Sequence, residues 1–177
     1  MRFSSHRWIV SGGGLLLLAV ASFLLLEGEQ KRISRRVLFF PVILEKDKIS
    51  STLQLSGEVR YISNRNNLNE DLRELIEEII LGPADHVLRP VLPRHTEVIS
   101  ALSVERVAYI NLTKDALFND FLFMNSKEDS LQAIATSILY NFSFLQEVCF
   151  TIEGQEPRLE DGKDSRRKYL LDWSILQ

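Results

Sequence analysis

The stretch Asn67–Pro83, NLNEDLRELIEEIILGP, decides the fold. Leu72, Leu75, Ile76, Ile79 and Ile80 recur at i, i+3, i+4, i+7 and i+8, the spacing of one helix face. Asn67 can cap the start, and Glu70 stands where a carboxylate reaches back to the cap. Gly82 tolerates the positive φ that ends a helix, and Pro83 cannot continue one. An amphipathic helix of this kind must lay its apolar stripe on a partner, so the sequence on either side has to supply one.

Upstream, Val37–Leu44 is an apolar run broken by Pro41, which suits an edge strand or one that bends. A second candidate strand, Thr52–Ile62, carries Leu53, Leu55, Val59 and Tyr61 around Gly57. Downstream, Thr96–Val104 and Val107–Leu112 read as a hairpin with Glu105-Arg106 at its tip, although neither residue favours the positive φ of a two-residue turn. Leu131, Ile134, Ala135, Ile138, Leu139 and Phe142 make a second helical stripe, opened by Ser126 with Asp129 three residues on. Glu147–Ile152 is a last strand, turned by Glu153-Gly154-Gln155. The expected order is β-α-β-β-α-β, an α+β two-layer sandwich with both helices on one face of a mainly antiparallel sheet.

Ahead of this domain lie 19 residues without a charge, Trp8–Leu26, about the length that crosses a ~30 Å hydrocarbon core at ~1.5 Å per residue. Ala19-Val20-Ala21 has the form of a signal-peptidase site, but the apolar run continues past it to Leu26, so an uncleaved anchor is favoured. The expected layout is a short N-terminus (1–7), a membrane anchor (8–26), a linker (27–36), the domain (37–155) and a charged tail (156–177), in which Tyr169–Trp173 could pack back. Arg2 and Arg7 place the N-terminus inside, whereas Lys31, Arg32, Arg35 and Arg36 argue the opposite, so flanking charge leaves the orientation open.

The composition, 45% hydrophobic and 25% charged, is that of a folding chain, and the net charge of −3 supplies no basic face for nucleic acid. Cys149 is the only cysteine, which excludes a disulfide framework, and within Val148-Cys149-Phe150 it reads as a small buried hydrophobe.

Several pieces in order resemble the GerM domain, named for sporulation and spore germination. These are Phe39-Phe40-Pro41, Gly57-Glu58-Val59-Arg60, the helix ending in Leu81-Gly82-Pro83, and Leu92-Pro93-Arg94-His95-Thr96 for the family's "LP-small-T" step. Val107-Ala108-Tyr109-Ile110-Asn111-Leu112-Thr113-Lys114 is similar to the family's "VAYVNLS", and Val148–Gly154 to its closing strand and turn. Arg94-His95 stands where family members usually have a glycine, and the hairpin tip lacks one too. The resemblance implies a membrane-attached domain outside the cytoplasm, with the N-terminus inside, acting through contacts with other envelope proteins or with itself.

No catalytic, metal or cofactor constellation emerges. His86 and His95, with Asp85 and Glu97 nearby, lie nine residues apart, which matches no zinc-ligand pattern. No G-x-S-x-G precedes a helix. Asn111-Leu112-Thr113 and Asn141-Phe142-Ser143 match the glycosylation pattern, the first inside the family motif itself. Gly82, Pro83 and Pro93 read as structural. Tyr109 and Asn111 alternate with Ala108, Ile110 and Leu112, so they fall on the sheet face away from the helices. That face, or the edge strand Val37–Leu44, is the expected contact surface of a non-catalytic assembly module. A binder of a small envelope ligand such as a peptidoglycan fragment is the alternative, and it requires a concave pocket with converging polar groups. A hydrolase is the remote third.

Overall fold

The structure, a computed structural model, describes residues 32–42, 53–117, 127–157 and 168–176. The elements run β1 (Arg32–Pro41), β2 (Leu55–Asn64), α1 (Leu68–Leu81), β3 (Val98–Val104), β4 (Val107–Leu112), α2 (Lys127–Asn141) and β5 (Glu147–Ile152). Both candidate strands upstream, Val37–Leu44 and Thr52–Ile62, fall on strands, so the order opens with two strands where β-α-β-β-α-β has one. The strands form two sheets, β1-β2 and β3-β4-β5, in place of the single sheet expected. The α+β class and the two helices stand.

Helix α1 forms where its stripe and caps predict. Asn67 sits in extended conformation and its side chain accepts from the N–H of Asn69 at 3.0 Å. The carboxylate that folds back over the start is that of Asp71, taking the N–H of Arg65 at 2.7 Å, and not that of Glu70. Gly82 closes the other end with φ 85°, its N–H donating to Ile79 O at 3.0 Å. Leu72, Leu75, Ile76, Ile79 and Ile80 are all buried, and each such side chain contributes about 1.5–3 kcal/mol over its exposed state.

In the three-stranded sheet, β3 and β4 are antiparallel, with Ala101 opposite Ile110 and Leu102 opposite Tyr109. Glu105 takes φ 55° at the hairpin tip, so the turn adopts the positive φ in spite of its residue type. Strand β5 runs parallel to β4, with Tyr109 beside Cys149 and Ile110 beside Phe150. This pair is the exception in a mainly antiparallel set of pairings, and the reason is the connection. Between β4 and β5 the chain includes α2, a crossover long enough to return it to the end from which β4 began.

Ala101, Ala108, Ile110, Leu112, Val148, Phe150 and Ile152 are buried on the inner face, toward α1 against β3 and α2 against β5. In the other sheet, Val42 N donates to Gln54 O at one end and Asn64 Nδ2 to Ser34 Oγ at the other, so β1 and β2 run in opposite directions. Gly57 is required there, because a Cβ would lie 2.8 Å from Val37 Cγ1. Residues 168–176 return to both sheets. Tyr169 exchanges backbone hydrogen bonds with Val148 on β5 (3.1 and 3.0 Å), and Leu176 bridges Leu55 on β2. Tyr169 and Ile175 are buried, so this part of the tail belongs to the core. The expected anchor, Trp8–Leu26, and the helix-opening Ser126 lie outside the described residues. Among those described, no helix is long and apolar enough to cross a membrane.

Candidate functional site

The alternation that buries one face of β3-β4-β5 leaves the other uncovered by any of the described residues. Three rows cross it: Val104, Val107 and Glu147; Leu102, Tyr109 and Cys149; Ser100, Asn111 and Thr151. Leu102, Val104 and Tyr109 are each about half exposed, at 49%, 56% and 46%. A contiguous apolar patch on the open face of a sheet is unusual for a surface that meets only water. Tyr109 stands in its middle. Asn111 is differently employed, since its Oδ1 accepts the N–H of Gly154 at 2.9 Å and fastens the turn after β5. Cys149 lies half-buried on this face, not in the core, and burial holds its thiol above the ordinary value against the pull of Lys168. It is therefore no ready nucleophile.

Parts of the sheet edges are engaged, in contrast to the face. On β1, Val37 N donates to Asn141 Oδ1 (2.9 Å), Val37 O accepts from Asn141 Nδ2 (2.6 Å), and Phe39 N donates to Ser137 Oγ (2.9 Å). On β3, Ser103 N donates to Asn69 Oδ1 (2.9 Å) and Ile99 O accepts from Arg73 (2.9 Å). Helix side chains thus occupy the backbone groups that an added strand would need. The edge strand expected as an alternative contact is already engaged at Val37 and Phe39.

Beneath the helix, Glu58 and Arg60 lock the end of α1. Arg60 binds the carboxylates of Glu58 (2.8 Å) and Glu78 (3.0 Å), and donates to the carbonyls of Glu78 and Gly82. Glu58 also accepts from the N–H groups of Ala84 (2.8 Å) and Asp85 (3.2 Å). Burial alone would raise the Glu58 pKa, but the hydrogen bond from Arg60, the two backbone N–H groups and the Arg60 charge bring it below its ordinary value. The cluster is an ion-paired splint and holds no vacant reactive group. Gly82, Pro83 and Pro93 serve the same region, with Pro93 O accepting the N–H of Thr96 at 3.0 Å to close the loop.

The histidines do not converge. His86 lies 4.0 Å from its neighbour Asp85, while His95 lies 3.9 Å from Asp115. Among the described residues no three His, Cys, Asp or Glu side chains gather as metal ligands would.

One concavity borders the open face. An open groove of about 600 Å³ runs between the end of α2, the loop that follows it and residues 170–173. Tyr140, Ser143, Gln146, Glu147, Leu170 and Trp173 line it. Sequence reading had no means to find it, because its walls come from three segments with no shared motif.

A family model described as "Germane: Sporulation and spore germination" matches residues 37–158. No curated protein matches the sequence. Among solved structures, the tandem GerMN domains of the sporulation protein GerM from Bacillus subtilis align at TM-score 0.59 and 10% identity, over 82% of this chain and 48% of that one. This chain thus spans about half of the tandem structure, and at that identity the likeness speaks for the fold alone. A candidate lipoprotein from Clostridium perfringens aligns at TM-score 0.48 with 19% identity, over 78% of this chain and 87% of that one. The first GerMN domain of the Bacillus subtilis protein aligns at 0.46 with 14% identity, over 78% and 98%.

Proposed function

The chain belongs to the Germane family of sporulation and spore germination, and on that premise we propose that it is a non-catalytic contact module of the bacterial envelope. It is held at the cytoplasmic membrane by Trp8–Leu26, with its domain outside the cytoplasm, and it assembles with another envelope protein or with itself. The observation that carries this reading is the open face around Tyr109, an apolar patch on a sheet whose outer strands are engaged at Ile99 and Ser103 on β3 and at Val148 on β5. Partners that add a strand need a free edge; partners that pack on a face need what Leu102, Val104 and Tyr109 offer. Tyr109→Arg puts a charge at the centre of the patch without touching the core, because the side chain already points to solvent. A photo-crosslinking residue at position 102 should capture a defined envelope protein in living cells, and Tyr109→Arg should abolish that capture while leaving the melting temperature unchanged. Undiminished capture by the variant would dismiss the face as the contact.

A further inference from the structure

Trp173 is 65% exposed, yet its backbone is firmly held. Asp172 caps its short turn, accepting from Ser174 N at 2.9 Å and from Ser174 Oγ at 2.7 Å, and the next residue, Ile175, is buried. An indole left in water forgoes the free energy that burial would supply, and here it does so on a fixed mount. Its ring meets Tyr140 edge to face, 6.3 Å between centroids and 63° between planes, and Tyr140 meets Phe39 in the same way at 5.0 Å and 74°. Rings set edge to face leave no slot between parallel faces, which is what a proline of an extended peptide enters. They make a platform and a wall.

The polar part of the groove is neutral in sum. Among the described residues Glu147 is its one charged lining residue, and Lys168 Nζ already matches that carboxylate at 2.6 Å. A cationic ligand finds no free carboxylate there. Ser143 and Gln146 add a hydroxyl and a side-chain amide to the rim. The volume falls in the range of small-ligand sites, about 300–1,000 Å³. A ligand suited to such walls has a flat C–H face for an aromatic ring and a rim of uncharged hydroxyl or amide groups, and a pyranose sugar has both.

We propose that this groove binds a neutral pyranose glycan, one ring stacking on Trp173 and its polar rim meeting Ser143 and Gln146. The groove shares Glu147 with the rim of the open face but does not include Tyr109, so the two readings are tested by different substitutions. The test uses the full chain in a detergent without a sugar head group, isotope-labelled for NMR and titrated with N-acetylchitotriose. Saturable shifts at Tyr140, Gln146 and Leu170, with a dissociation constant of about 1 mM or below, are expected. Trp173→Ala should weaken binding about tenfold or more, Trp173→Phe only a few-fold, and Tyr109→Arg not at all. Absence of saturation in the wild-type protein would overturn the proposal, as would shifts confined to other surfaces or binding undiminished in Trp173→Ala. Saturation of the groove by a proline-rich peptide but not by the sugar would overturn it in favour of a peptide ligand. The wild-type shift map and Trp173→Phe decide the matter even if Trp173→Ala does not fold.

Discussion

Arg60 shows how much one side chain can hold. It reaches the carbonyl end of α1, where the helix dipole presents partial negative charge, and brings Glu58 and Glu78 to the same point. Glu58 then secures the loop through Ala84 and Asp85. Since the folded Glu58 titrates below its ordinary 4.5, its contribution to stability is complete above that value and is lost as pH falls through the lower, folded one. Glu58→Gln should therefore be less stable than wild type at neutral pH, and the gap between their denaturant midpoints should close on acidification. A gap that persisted in acid would show that the carboxylate's charge is not what matters. The sequence displays Glu58 and Arg60 two apart on a strand, hence on one face, but it does not display their partners. Those lie about twenty residues on or more, at a helix end whose place above β2 is settled only by folding.

At the scale of the element, what was legible is what is local. Both ends of α1 could be read because caps and stripe lie within one continuous stretch, and the hairpin because two strand-like runs flank its tip and alternation survives on β4, whereas the register of β3 shifts between Val98 and Ser100. The direction of β5 could not be read, since alternation is the same whichever way a strand runs. Nor could the closing of β1, which depends on Asn141 and Ser137 facing it from a helix about a hundred residues later. Asn141 in isolation looks like part of a glycosylation pattern, whereas folded it substitutes for a neighbouring strand. Asn141→Ala should cost about 1–3 kcal/mol, since it leaves the backbone groups of Val37 without partners, and should raise the tendency to aggregate through the β1 edge. Equilibrium denaturation with light scattering reads both. Asn141→Asp should recover little of the loss, because it keeps the acceptor for Val37 N–H but sets a carboxylate oxygen where Nδ2 donates to Val37 O and Ser137 O. Full stability in Asn141→Asp would place the effect outside the donated hydrogen bonds.

For the molecule as a whole, orientation is the property on which the proposed function rests. A phosphatase fused after Gln177 should be active, and a fluorescent protein that matures only in the cytoplasm should stay dark there; the opposite pair of results would invert the topology. The fold class and the family could be read from the sequence as a whole, whereas the open face became an identified surface only once the register of β3, β4 and β5 was known, and the groove only once residues 170–173 were set beside α2. Those returning residues bear on the order of events in biogenesis. Tyr169 pairs with Val148 at the outer edge of β5, and Leu176 joins β2, a strand made near the start of the domain. In a chain delivered N-terminus first, both closures wait until nearly all of the domain has emerged. Until then a half-assembled sheet presents a bare β5 margin, and any strand that competes for it must do so before residues 168–176 arrive.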